Sequence, residues 1–156
     1  MTIKAIIRSE KTNLKTGKWA RGHIPRSAFP LSRLKDKRYR YGPDYAWRLV
    51  TFDAAGHNCR VLITLNESKE VLRARLGVDI NGVMVVLCDY EYHATEPGWH
   101  CHVTTEPIKS IGSGAARSGK KKWPRRSTRR DFNVDEKGAL SVVANHYRFA
   151  AQGELL

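Results

Sequence analysis

Residues 84–104, MVVLCDYEYHATEPGWHCHVT, alternate apolar and polar side chains on both sides of a Glu-Pro-Gly segment. A period of two marks paired strands, because successive side chains leave opposite faces of the pleat. Met84, Val86, Cys88, Tyr90 and Tyr92 are expected on one face, with Trp99, Cys101 and Val103 from the return strand. Asp89, Glu91 and His93 then share the other face with His100, His102 and Thr104. A four-residue loop, Thr95–Gly98, keeps each face chemically uniform, pairing Glu91 with His102 and His93 with His100. A five-residue loop would set Tyr90 and Tyr92 opposite His102 and His100, so the four-residue loop is preferred.

The rest of the chain is organised around that hairpin. WRLVTFD and CRVLITL, joined by AAGHN, read as a second hairpin, rich in β-branched and aromatic residues. TIKAIIRS suggests a first strand. NESKEVLRARLG reads as a helix, with Asn66 as its N-cap, Val71, Leu72 and Leu76 as its apolar stripe and Gly77 as its stop. DEKGALSVVANHYRFAAQ reads as a closing helix, with Leu140, Val143, Ala144, Tyr147 and Ala151 on one face. The expected fold is therefore α+β: an antiparallel β-sheet of about five strands with two helices packed on it. At 156 residues the chain fits about one domain. A basic N-terminal arm, residues 1–45, precedes a single domain, 46–156, that carries a basic loop at 109–130.

Charge points to the partner. The net charge is +13 and it is segregated. Residues 1–40 carry twelve Lys/Arg against Glu10 and Asp36, and residues 109–130 carry nine and no acid, while residues 41–108 carry five against nine acids. Focused positive charge implies a polyanion, most often nucleic acid. In GKKKWPRRSTRR, the bases Lys120, Lys121, Lys122, Arg125, Arg126, Arg129 and Arg130 surround Trp123. The bases would neutralise phosphates and the indole would stack on an unpaired base. No groove-reading helix stands out, so non-specific contact is expected. The stretch Gly114–Lys121 imitates a phosphate-binding P-loop, but Lys121 replaces the Ser/Thr that would hold Mg²⁺. No apolar run is long enough to span a bilayer, and three cysteines without CxxC spacing suit a reduced, cytoplasmic chain.

The polar face of the Met84–Thr104 hairpin is the candidate reaction centre. Two imidazoles and a carboxylate form a common shell for a divalent metal with open positions. Such an ion would polarise a phosphoryl oxygen. A metal-free acid/base pair and a merely solvated polar face are the other two readings.

Three segments taken together resemble the HUH endonucleases, the rolling-circle replication initiators. LITLNES, Leu62–Ser68, is similar to their first motif, and EYHATEPGWHCHV, Glu91–Val103, to their His-hydrophobic-His motif, here centred on Cys101. Tyr147, in ANHYRFA on the closing helix, stands where the family carries its nucleophile. The likeness is one of motif order over roughly residues 60–150. Ala150 stands where a lysine is usual, and Gly98 and Trp99 separate Pro97 from His100. The resemblance implies that His100 and His102, with Glu91 or His93, hold Mg²⁺ or Mn²⁺ on the scissile phosphate of single-stranded DNA. It implies that Tyr147 attacks to form a phosphotyrosine link. A ribonuclease or other phosphodiesterase using His and Glu, and a non-catalytic nucleic-acid-binding or inhibitor protein of a mobile element, are the alternatives.

Overall fold

Two tight turns fold the centre of the chain into a meander. Ala55-Gly56 and Asn81-Gly82 hold all four residues at positive φ, 51° and 79° in the first pair and 55° and 81° in the second. This is the two-residue turn whose twist matches that of the flanking strands. The first turn joins β3 (Ala46–Ala54) to β4 (His57–Asn66), and the second joins β5 (Val71–Ile80) to β6 (Val83–Tyr92). The structure, a computed structural model, describes residues 2–31, 42–93, 99–103, 120–121 and 134–150, giving the backbone alone at 99, 100, 120 and 121.

Around this meander the described residues add α1 (Ile3–Arg8), β1 (Thr12–Thr16), β2 (Ala20–Arg21), a 3-10 turn (Arg26–Ala28), β7 (Trp99–Val103), β8 (Lys120–Lys121) and α2 (Glu136–Tyr147). The sheet has eight strands in the order β1-β3-β4-β5-β6-β7-β8, with β2 also on β3 and every pairing antiparallel. The α+β class agrees with the expectation, as does the count of two helices among the described residues, although only the closing helix stands where it was expected. The strand count is larger for two reasons. Residues 71–80 are strand rather than helix, and the short β1, β2 and β8 join the edges.

The expected helix after Asn66 fails because that side chain shapes a turn. Its Oδ1 accepts from Ser68 Oγ at 2.9 Å and from Lys69 N at 3.0 Å, and Glu70 sits at φ 52°. Strand β5 then alternates: Leu72, Ala74, Leu76 and Val78 enter the main core, and Arg73 and Arg75 face the other way. The expected first strand is instead a helix. Ile3, Ile6 and Ile7 recur at helical spacing and are buried in the main core, and the Lys11 ammonium donates to the carbonyls of Ile6, Ile7 and Ser9. With β1 on β3, the described part of the 1–45 segment is built into the domain and is no arm.

Helix α2 forms as its pattern predicts. Asp135 caps it by accepting from Gly138 N at 2.7 Å, and Arg148 ends it in the left-handed region. Leu140, Val143, Ala144 and Tyr147 are buried against the sheet, whereas Ala151 lies outside the described residues. The opposite sheet face is half covered by Ile24, Phe29 and Leu31, which pack on Leu62, Met84 and Val86. Met84 and Val86 thus leave the face assigned to them. A bulge opposite Leu76/Gly77 inserts one residue into β6, so Val85 and Leu87 point to the helices while Cys88, Tyr90 and Tyr92 keep their place.

Gly77 makes that cover possible. A Cβ there would lie 2.6 Å from Phe29 Cζ and 3.2 Å from Met84 Cε. Gly77→Val is expected to destabilise the fold by about 1–3 kcal/mol through overpacking, read from urea unfolding, and Phe29→Leu should recover part of the loss.

Candidate active site

The half of the second face left uncovered by residues 24–31 carries the polar cluster. Cross-strand register places it: Arg73 on β5 stands opposite Glu91 on β6, and Arg75 opposite Asp89. On β7, His100 stands opposite Glu91 and His102 opposite Asp89. The register therefore differs by two residues from the expected pairing of Glu91 with His102 and His93 with His100. Strand β6 ends at Tyr92, paired with Trp99, so the connection is six residues long rather than four. A shift of two preserves parity, so the acids and His102 still share one face and Tyr90 and Cys101 the other.

Glu91 is the centre of the cluster. Its side chain is only 4% exposed, and three partly exposed groups converge on it. Arg73 Nε lies 2.9 Å from Oε1, His93 Nε2 lies 3.1 Å from Oε2, and His102 Nε2 lies 3.7 Å from the same Oε2. Solvent thus meets a guanidinium and two imidazoles, with a buried carboxylate beneath that fixes their positions. One row away, Arg75 grips Asp89 in a two-pronged bond, Nε to Oδ1 at 2.8 Å and Nη2 to Oδ2 at 3.1 Å, both side chains buried. That fork braces β5 and β6, the strands on which Arg73 and Glu91 stand.

Burial alone would raise the Glu91 carboxyl, but the Arg73 charge, the His93 bond and the His102 charge outweigh it and hold the group below its ordinary value. A depressed carboxylate stabilises the fold above its unfolded-state value and loses that contribution as pH falls through the lower folded-state value. Glu91→Gln should therefore flatten the acid limb of a stability–pH profile below pH ~4.5 and leave its neutral-to-alkaline limb unchanged in slope, measured by urea midpoints.

The residues expected to act together are only partly assembled. Glu91, His93 and His102 converge; His100 is placed by its backbone opposite Glu91, its side chain lying outside the description. The Mg²⁺ or Mn²⁺ site expected from them fits poorly, because Arg73 already occupies the carboxylate that would anchor the ion. A guanidinium at 2.9 Å would oppose a second cation there. Tyr147 is on the other side of the sheet, 0% exposed, its hydroxyl donating to the Ala74 carbonyl at 2.7 Å. Burial pushes that phenol well up from its ordinary value, which suits a core residue and not a nucleophile beside Glu91. Lys120 and Lys121 form β8, with Lys120 paired to His102 and Lys121 to Cys101. Lys122, Trp123, Arg125, Arg126, Arg129 and Arg130 lie outside the described residues. Arg73 and Arg75 were not expected at the site at all. Their alternation with Leu72, Ala74 and Leu76 is the signal that marks them as one face of a strand.

Among the described residues no helix is long and apolar enough to cross a membrane. Comparison of the chain with family models, with curated proteins and with solved structures gives no match in any of the three.

Proposed function

We propose that the protein is a nucleic-acid-binding phosphodiesterase that cleaves RNA by metal-independent acid–base chemistry at Glu91, His93, His102 and Arg73. The observation that carries this reading is the convergence of one guanidinium and two imidazoles on a single buried carboxylate, at 2.9, 3.1 and 3.7 Å. Each imidazole turns Nε2 toward Glu91, so the carboxylate orients both rings at the site, and an imidazole can give or take a proton near neutral pH. One imidazole removes the proton of the ribose 2′-hydroxyl as its oxygen bonds to phosphorus. The other protonates the departing 5′-oxygen as the P–O5′ bond breaks, giving a 2′,3′-cyclic phosphate and a 5′-hydroxyl end. Arg73 offsets the charge that builds on the phosphoryl oxygens. RNA is the substrate because this route takes its nucleophile from the substrate's own 2′-hydroxyl. The pairing of Lys120 with His102 supports delivery of a strand to the site, since it fastens one end of the basic segment to the strand that carries His102.

The test is incubation with labelled single-stranded RNA and DNA, in chelator and in Mn²⁺, resolved on a denaturing gel. Cleavage of RNA in chelator, with cyclic-phosphate ends, and none of DNA is expected. Mn²⁺-dependent nicking of DNA with a covalent adduct lost in Tyr147→Phe would replace this reading with a tyrosine endonuclease. Salt-dependent binding with no cleavage of either would leave a binding protein.

A further inference from the structure

The helix-side face holds a second chemical cluster, in which the acid–base site has no part. Cys88 on β6, Cys101 on β7 and His146 on α2 each offer one donor atom, and the three atoms lie within 4.8 Å of one another. The two sulfurs are 3.7 Å apart, and Cys101 Sγ is 3.8 Å from His146 Nε2. A tetrahedral zinc ion with Zn–S of ~2.3 Å and Zn–N of ~2.0–2.1 Å separates two sulfurs by ~3.8 Å and a sulfur from a nitrogen by ~3.6 Å. The Cys88–Cys101 and Cys101–His146 spacings are close to those edges, and the Cys88–His146 spacing is bounded at 4.8 Å. The imidazole is also held in its plane, stacked on Tyr90 with ring centroids 3.6 Å apart and 14° between planes. A pair of packed thiols would need neither the imidazole nor its orientation.

We propose that Cys88, Cys101 and His146 bind one zinc-class divalent ion, which fastens α2 to the sheet. Two sulfurs and one nitrogen favour a borderline-soft ion over Mg²⁺ or Mn²⁺. Burial pushes His146 down to about 3, so the ring is neutral and presents a lone pair at ordinary pH. Without an ion the Cys101 thiol is pushed well up, first by its hydrogen bond with Cys88 and then by burial, and the ion takes up Cys88 and Cys101 as thiolates. Binding sends their two protons to solvent, and the ion's two positive charges offset the two thiolates. The fourth position falls to water or to the Tyr147 hydroxyl, which lies against Cys88.

The test uses the full reduced chain, stripped with chelator and titrated with Co²⁺ as a spectroscopic probe, then with Zn²⁺. The expected result is uptake of one Co²⁺ per chain, with thiolate-to-cobalt charge transfer in the near ultraviolet and tetrahedral bands in the visible, all bleached by Zn²⁺. Cys88→Ser and Cys101→Ser should abolish the charge-transfer band. His146→Gln should weaken binding by more than the ~10–100-fold typical of losing an outer-shell partner. Cys59→Ser and His102→Ala should leave the spectrum unchanged, the second separating this site from the polar face. Should the Cys88 and Cys101 variants fail to fold, Cys59→Ser still decides. Its band can come only from the two thiols that remain, since the chain has three cysteines. No stoichiometric uptake by the reduced wild type, a thiolate band lost in Cys59→Ser, or a Cys88–Cys101 disulfide that accounts for both sulfurs in freshly isolated protein would overturn the proposal.

Discussion

Asp89→Ala is expected to destabilise the fold by about 3–5 kcal/mol, more than any other single change at the site. The carboxylate is fully buried and takes a forked bond from Arg75, itself only 5% exposed. Truncating it leaves a guanidinium in the sheet interior with its strongest partner gone, and the charge has no easy route to water. Arg75 cannot shed its proton to escape the problem, because a guanidinium stays protonated at any pH the fold survives. The loss should come from the orphaned charge and not from the small cavity. Arg75→Met together with Asp89→Leu should therefore return the urea midpoint to within ~1 kcal/mol of wild type, since an apolar pair of similar volume removes both desolvation costs. Losses that simply add in the double variant would show that packing, and not the ion pair, sets the stability of this row.

The same residues show what the sequence discloses and what it withholds. The hairpin around Glu91 was legible because alternation is a local property, and parity survives an error of two in the register. The loop length was not legible. Nothing in HATEPG dictates a four-residue connection over a six-residue one, and the cross-strand partner of Glu91 changed with it from His102 to His100. Strand β5 was misread because Val71, Leu72 and Leu76 fit a helical stripe about as well as Leu72, Ala74, Leu76 and Val78 fit a strand. The deciding signal is Asn81-Gly82, a two-residue turn that requires strands on both sides. Missing that turn hid Arg73 and Arg75, and with them the reason the carboxylate is a poor metal ligand. Closing helix α2 was legible from its stripe and its Asp135 cap. What lies beneath it was not. Cys88 and Cys101 share one face of the hairpin, but His146 lies 45 residues beyond Cys101, and only the way α2 crosses β6 and β7 brings it to them.

Glu91→Gln and His102→Ala should each lower the rate of RNA cleavage by about 10²–10⁴-fold, the range typical of a positioned acid–base group. The two losses have different origins. His102→Ala removes a group that would exchange a proton with the substrate, whereas Glu91→Gln keeps the shape of the side chain, exchanges one oxygen for an amide nitrogen and removes the charge that holds Arg73, His93 and His102 in place. RNA affinity separates them from a binding defect. Glu91→Gln takes one negative charge from beneath the phosphate, so binding at low salt should be equal or tighter while turnover falls. A rate loss matched by an equal loss of affinity would place Glu91 in the architecture and not in the chemistry. Groups that work as one unit also fail to add. The variant carrying both His93→Ala and His102→Ala should be hardly slower than the worse single variant, because loss of either proton-transfer partner already disables the relay. Multiplicative losses, or a fall of less than tenfold in either single variant, would move the reaction away from this carboxylate.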